Sequence, residues 1–359
     1  MKITIVGGGN IGTLFAVHCA EKGNDVTVYT SQPNEFSNEL EIVDEIGNIT
    51  HKGIIKKATD DPSLAFPETD IIFVTYPSML MDIAAETIFK YSRKDVMIGI
   101  IPGSGGCECA FRKCIERGSV VFGLVRVPAI ARLVKKGKSV RSVGYKKELH
   151  ISSIPIGHVN TCTNIIESIF DIPCRVIPNY LNLTMTPSNP VLHTSRLYTL
   201  FGNYHDGKRY QSVPLFYEEW SNYSSEILFL CDKEVQDICK ALDEYDLSYV
   251  ISLPVYYESP TREAMTKKIR SIPAFKGIKT PTKEVGGMYI PDLDSRYFVA
   301  DFDYGLNCIQ QIGRIAGVQT PTIDNIMDWY QSIAHSNKRF SYGNYGIVDK
   351  ATFDAFYSR

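Results

Sequence analysis

The tightest constraint on this chain lies in its first dozen residues, where Gly7-Gly8-Gly9-Asn10-Ile11-Gly12 separates the apolar run Ile3-Thr4-Ile5-Val6 from a helix-forming stretch, Thr13 to Glu21. A strand that enters a helix through a glycine turn points unpaired N–H groups outward at the helix N-terminus, where the peptide dipoles favour an anion. Gly7 permits the tight turn, Gly9 lets the backbone approach a pyrophosphate, and Gly12 lets helix and strand pack closely. The helix ends near Gly23-Asn24, and Val26-Thr27-Val28-Tyr29 follows at the spacing of a βαβ crossover. The sequence thus predicts a dinucleotide-binding βαβ unit with Gly7, Gly9, Asn10, Ile11 and Gly12 around the phosphates.

The end of the second strand bears on the nucleotide. NAD-preferring sites usually place Asp or Glu there, to accept hydrogen bonds from the ribose 2′-OH and to repel a 2′-phosphate. This chain reads Tyr29-Thr30-Ser31-Gln32, with no Arg or Lys between Thr30 and Lys52. Thr30 and Ser31 are the expected cofactor contacts, and the cofactor is NAD or NADP with a slight lean to NADP.

Strands and helices continue to alternate. Asp70 to Tyr76 reads as a buried strand ending at Thr75-Tyr76-Pro77-Ser78, and Val96 to Ile101 as another, ending at Pro102-Gly103-Ser104-Gly105-Gly106. Ligands of open α/β sheets lie beyond the carboxyl ends of the strands, so Tyr76, Pro77, Pro102 and Gly103 are expected at the cofactor. Strand-rich segments follow at 120–127, 140–143 and 149–154, then a helix near 157–170 and a strand at 175–177. From about Asn179 the apolar spacing turns helical, with Ile227, Leu228, Leu230, Val235, Ile238 and Leu242 on one stripe. The expected fold class is α/β: an N-terminal doubly wound Rossmann-type domain, residues 1–178, followed by a mainly α-helical C-terminal domain, residues 179–359, with the hinge between Val176 and Leu183.

At 359 residues the chain exceeds one ordinary core, which agrees with two domains. Its 38 basic and 40 acidic side chains form no concentrated basic stretch, which argues against nucleic acid as a partner; Lys135-Lys136-Gly137-Lys138 reads as a solvated turn. No apolar run spans a bilayer and the chain starts with a strand, so a cytoplasmic protein without membrane contact is expected. Nine cysteines without framework spacing fit reduced thiols, and Cys107, Cys109 and Cys114 lack the gap of a zinc knuckle, so no metal site is expected. A homodimer is compatible with this chain.

Two segments of the helical half carry the candidate chemistry. In Asn189-Pro190-Val191-Leu192-His193, Asn189 suits an N-cap and Pro190 an opening turn, which would put His193 in the first turn of a buried helix. The other, Asp294-Ser295-Arg296-Tyr297 through Asp301 to Gly305-Leu306, runs into an amphipathic helix. Singly, a histidine near a helix start is most often a satisfied core or surface residue, and an aspartate before a helix is most often a cap.

With these two motifs, Phe216-Tyr217-Glu218-Glu219, Ile272-Pro273-Ala274-Phe275-Lys276-Gly277-Ile278 and Val318-Gln319-Thr320-Pro321-Thr322-Ile323-Asp324, the chain resembles the opine dehydrogenases over nearly its whole length. It departs from their pattern at Ala300, Asp303 and Thr30. The resemblance implies an NAD(P)-dependent enzyme that joins an amino acid's amine to a 2-oxo acid and reduces the imine to a secondary amine. It makes His193 the acid/base, Asp301 its partner and Arg296 the clamp on the oxo acid carboxylate. An imidazole titrates near neutral pH, a carboxylate on its other nitrogen fixes the tautomer, and a guanidinium grips a carboxylate through two parallel hydrogen bonds. Tyr217, Glu218, Glu219 and Trp220 are the first candidates for the amino-donor pocket, the two acids reading equally as caps or a solvated face.

Two rivals stand beside this reading. Hydroxy-acid dehydrogenases of the ketopantoate reductase or glycerol-3-phosphate type share the two-domain plan but use a lysine, and no lysine occurs between Lys147 and Lys208. The other is a nicotinamide-sensing protein without turnover, because fold does not guarantee activity.

Overall fold

The computed structural model describes residues 1–334 and 339–359. Two compact units divide the chain: Met1–Thr184 with Asp354–Arg359, and Met185–Phe353. The division falls after Thr184, later than the expected 178, and the last six residues return to the first unit. The physical reason lies in the short helix Leu181–Thr184 and in Tyr180, all buried in the first unit. A Cβ added at Gly103 or Gly123 would come within 2.5 Å of the Tyr180 hydroxyl, so Tyr180 packs where two strand ends lack side chains.

The first unit contains strands β1 (Lys2–Val6), β2 (Asp25–Tyr29), β3 (Glu39–Val43), β4 (Ile49–Ile54), β5 (Lys57–Thr59), β6 (Ile71–Val74), β7 (Met97–Ile100), β8 (Val120–Leu124), β9 (Ile130–Lys135), β10 (Ser139–Val143), β11 (Leu149–Ile154) and β12 (Cys174–Val176). Eight of them form one sheet in the order β12-β11-β8-β7-β6-β1-β2-β5, parallel throughout except between β8 and β11. The order reverses around β1, which pairs with β2 on one side and β6 on the other. Helices α1 (Asn10–Glu21), α2 (Met81–Tyr91) and α3 (Val159–Phe170) belong to the same unit. Covered faces explain the unbroken apolar runs: all of Ile71-Ile72-Phe73-Val74 is buried, and Phe15 of α1 packs on Phe73 and Phe170 at ring distances of 5.0 and 4.8 Å. A second sheet, β4-β3-β10-β9, joins the hairpin after β2 to the one after β8.

The second unit is mainly helical, as the periodicity predicts, with one added hairpin, Thr282–Val285 against Met288–Pro291. Its principal helices are α4 (Ser188–Phe201), α5 (Asn222–Ala241), α6 (Arg262–Ser271), α7 (Asn307–Ile315) and α8 (Pro321–Ile333). Glu234 of α5 accepts the Thr322 and Ile323 N–H groups, satisfying orphan donors at the start of α8.

Candidate active site

At the glycine turn, Gly7 adopts φ +108°, and a Cβ at Gly12 would lie 1.7 Å from the Gly7 carbonyl, so neither position admits a side chain without rebuilding the turn. A Cβ at Gly9 would meet nothing within 4 Å, which leaves the approach to the α1 N-terminus open. Gly8, which the glycine motif leaves without a task, is needed as well: a Cβ there would sit 2.4 Å from the Phe36 ring. Ile11 is partly buried at the start of α1. Asn10 has a structural occupation, its Oδ1 accepting the Leu133 N–H at 2.7 Å and tying α1 to β9.

Thr30 is buried at the end of β2 and Ser31 is exposed beside it. The cation missing from the local sequence arrives from the β9–β10 turn. Lys136 Nζ donates to Gln32 Oε1 and lies 3.1 Å from Glu35 Oε2. The turn is docked there by Ser37 N–H donating to the Gly137 carbonyl, with Gly137 at φ +64° against the Glu35 backbone. Tyr76 follows β6 beside Gly7, with Pro77 after it, and Pro102 is exposed beyond β7. Gly103 differs from expectation: it is buried beneath Tyr180 and Leu183, so packing rather than ligand contact accounts for the glycine.

In the second unit, α4 starts at Ser188 and is preceded by Pro187, so Asn189 is inside the helix and makes no cap. His193 therefore falls in the second turn, not the first. Pro190 is tolerated because its missing N–H is among the four that a helix start leaves unpaired anyway. His193 is 4% exposed, and its Nδ1 lies 2.7 Å from Asp301 Oδ2 across 108 residues of chain. Its Nε2 lies 2.6 Å from the Tyr217 hydroxyl. A carboxylate only accepts, so Nδ1 carries the proton; the neutral ring then accepts at Nε2 from the Tyr217 O–H. Burial holds the Tyr217 phenol well above its ordinary value, with the nearby Arg296 charge opposing, so the phenol keeps its proton.

The other motifs converge on this pair. Asp301 opens a π-helical turn, Asp301–Leu306, whose wider ladder shows in Gly305 N–H donating to the Ala300 carbonyl five residues back. A Cβ at Gly305 would come within 2.7 Å of Pro190 Cγ, so the glycine lets the π turn lie on α4 and fixes Asp301 opposite His193. Phe275 stacks on Tyr217 at a ring distance of 4.0 Å. Glu218 accepts the Gly277 N–H and Glu219 the Leu215 N–H, so both acids are backbone staples. Trp220 is fully buried and donates its indole N–H to Ser225.

Arg196, one turn after His193, was not singled out from sequence. It is buried and donates to the carbonyls of Leu215, Phe216 and Glu219, holding the loop that carries Tyr217; burial lowers its pKa to about 10, so it stays charged at neutral pH. Its signal was present in the chain, an arginine on the buried face of a helix. Arg296 is exposed on the helical turn Arg296–Val299, its guanidinium 5.9 Å from the Tyr297 ring, and Tyr297 in turn packs 4.7 Å from the His193 ring. It forms no ion pair among the described residues. Asp303 turns away from His193, accepting from the Tyr330 hydroxyl at 2.9 Å with Arg339 3.3 Å away.

Comparison with known proteins agrees with this organisation. The model of the NAD/NADP octopine/nopaline dehydrogenase alpha-helical domain matches residues 176–334, and that of ketopantoate reductase PanE/ApbA matches residues 3–154. Tauropine dehydrogenase of Arabella iricolor is 26% identical over 92% of this chain and 91% of its own length, and octopine dehydrogenase of Pecten maximus 24% over 92% and 90%. The structure of an octopine dehydrogenase with NADH and L-arginine superposes with a TM-score of 0.81 at 23% identity, covering 92% of this chain and 89% of that one, a likeness of fold. A ketopantoate reductase-type α/β unit joined to an octopine/nopaline dehydrogenase-type helical domain makes the chain similar to the opine dehydrogenases over nine-tenths of its length and marks it as an NAD(P)-dependent oxidoreductase acting on CH–NH donors.

Proposed function

We propose that the protein condenses the amine of an amino acid with a 2-oxo acid and reduces the product to a secondary amine, and that His193, Asp301, Tyr217 and Arg296 carry the proton and substrate handling. The observation that carries this reading is the hydrogen-bonded line Asp301–His193–Tyr217. The nicotinamide supplies the hydride. Arg296 has the planar fork that grips a carboxylate through two bonds and no protein carboxylate competing for it among the described residues.

Because Tyr217 occupies Nε2, the phenol is the relay between imidazole and substrate. The donor amine arrives as an ammonium; its proton passes to the Tyr217 oxygen as the phenolic proton passes to His193 Nε2, leaving a free amine to attack the oxo carbon. Asp301 stabilises the resulting imidazolium. The same proton then returns through Tyr217 to the hydroxyl of the carbinolamine, which leaves as water. A positioned acid/base of this kind contributes about 10²- to 10⁴-fold in rate.

For the cofactor, Lys136, bonded to Gln32 and 3.1 Å from Glu35 just beyond the end of β2, supports NADP(H) over NAD(H), since a 2′-phosphate bound there would compete with Glu35 for its ammonium. The test of the reaction is oxidation of reduced cofactor with a panel of 2-oxo acids, each with and without amino acids. Oxidation that requires both is the expected result. Oxidation independent of amine would instead establish a hydroxy-acid dehydrogenase, and none with any pair a sensor.

A further inference from the structure

On the first unit, three metal-ligating side chains meet that the dehydrogenase reading does not use. His18 and Glu21 lie three residues apart on α1, hence on one face, and His51 comes from β4. The strand is pressed on the helix, since a Cβ at Gly53 would lie 2.6 Å from the Val17 carbonyl; His51, two residues earlier, projects from the same strand face. Glu21 Oε2 lies 2.8 Å from His51 Nδ1 and 3.9 Å from His18 Nδ1, and one ligand atom from each residue falls within 4.8 Å of the others. The two imidazole rings are 4.7 Å apart.

We infer that His18, Glu21 and His51 form a site for a divalent transition metal of the zinc class, clipping β4 to α1. Metal–ligand bonds of roughly 2.0–2.1 Å set ligand atoms about 3.3 Å apart in a tetrahedron. The observed separations straddle that value, so side-chain shifts below about an ångström complete three corners, and water takes the fourth. The donor set of two imidazoles and a carboxylate is one that zinc accepts. His18 is also prepared as a ligand. Its other nitrogen, Nε2, is 2.8 Å from the Tyr145 hydroxyl, a partner of the kind that fixes which nitrogen faces a metal. Lys22, one residue after Glu21, is engaged by Asp171 at 2.6 Å.

The test is independent of turnover. Chelator-treated full-length protein is titrated with Zn²⁺ by calorimetry and with Co²⁺ by visible absorption, and unfolding is followed with and without metal. One equivalent, a four-coordinate Co²⁺ spectrum and a raised unfolding midpoint are expected. His51→Ala, at a half-exposed position that need not disturb the core, and Glu21→Gln each weaken binding by roughly 100-fold or more, since even outer partners of metal ligands are worth about 10- to 100-fold. His205→Ala, an exposed histidine elsewhere, leaves the titration unchanged. Binding equally strong in His51→Ala and Glu21→Gln, or no stoichiometric binding to the wild type, overturns the site.

Discussion

Glu108 shows how much a single side chain of this protein depends on residues far along the chain. It is fully buried, accepts hydrogen bonds from the Thr184 and Tyr357 hydroxyls, and has no partner at Oε2 among the described residues; burial raises its pKa to about 7 against the pull of those bonds. A carboxyl raised in the folded state binds its proton more tightly there than in the unfolded chain. Its stabilising contribution is therefore complete below the unfolded value of about 4.5, declines as pH rises, and is gone above about 7, a change on the order of a few kcal/mol. Urea unfolding at a series of pH values should show this decline in the wild type and a flatter profile in Glu108→Gln. Equal slopes would remove Glu108 as the source. The residues of the second unit divide in the same way between what a sequence shows and what it hides. His193 and Asp301 stand in recognisable motifs, and a histidine that needs a carboxylate restricts the search. Tyr217 was marked only as a donor-pocket candidate, because nothing in its neighbours says that a loop held by Arg196 turns its hydroxyl onto Nε2.

Elements, not isolated residues, set the register of the site. The 2.7 Å bond between His193 and Asp301 requires α4 and the π-helical turn to lie against each other, and Pro190 on Gly305 is where they do. Gly305→Ala places a methyl group against a proline ring that cannot swing aside, an overpacking that costs about 1–3 kcal/mol. We expect a lower unfolding midpoint together with a fall in kcat, as Asp301 is pushed out of line; an unchanged midpoint would show that the turn has room. The β9–β10 turn makes a different contribution. Lys135-Lys136-Gly137-Lys138 reads as a solvated loop because sequence distance conceals that it docks beside Gln32 and Glu35. If Lys136 meets a 2′-phosphate, Lys136→Gln should raise the NADPH dissociation constant about tenfold or more, the worth of a charged hydrogen bond, and leave that of NADH nearly unaltered. Equal effects on both nucleotides would refute the assignment. The second sheet, β4-β3-β10-β9, was equally unreadable as a sheet, since its strands come from hairpins almost 80 residues apart.

At the scale of the whole molecule, the glycine turn belongs to one unit and the proton-transfer line to the other. Substituting His193 or Asp301 with alanine should thus leave the cofactor dissociation constant near its wild-type value while kcat falls by about 10²- to 10⁴-fold. A comparable loss of cofactor binding in either variant would mean that the two tasks are not separable. Among the described residues no helix is long and apolar enough to cross a membrane. The sequence by itself determined the alternation of strand and helix, the glycine turn, the change to helical periodicity and the motifs of the family, because each is written in residues a few positions apart, within reach of local sterics and periodicity. It misplaced the start of α4, where capping and packing by remote side chains decide. Only the tertiary structure decided that Tyr217 occupies Nε2, that Lys136 stands by the end of β2 and that His51 faces His18. Those pairings depend on contacts between segments whose separation in the chain carries no signal, and they exist only once the core has fixed which faces meet.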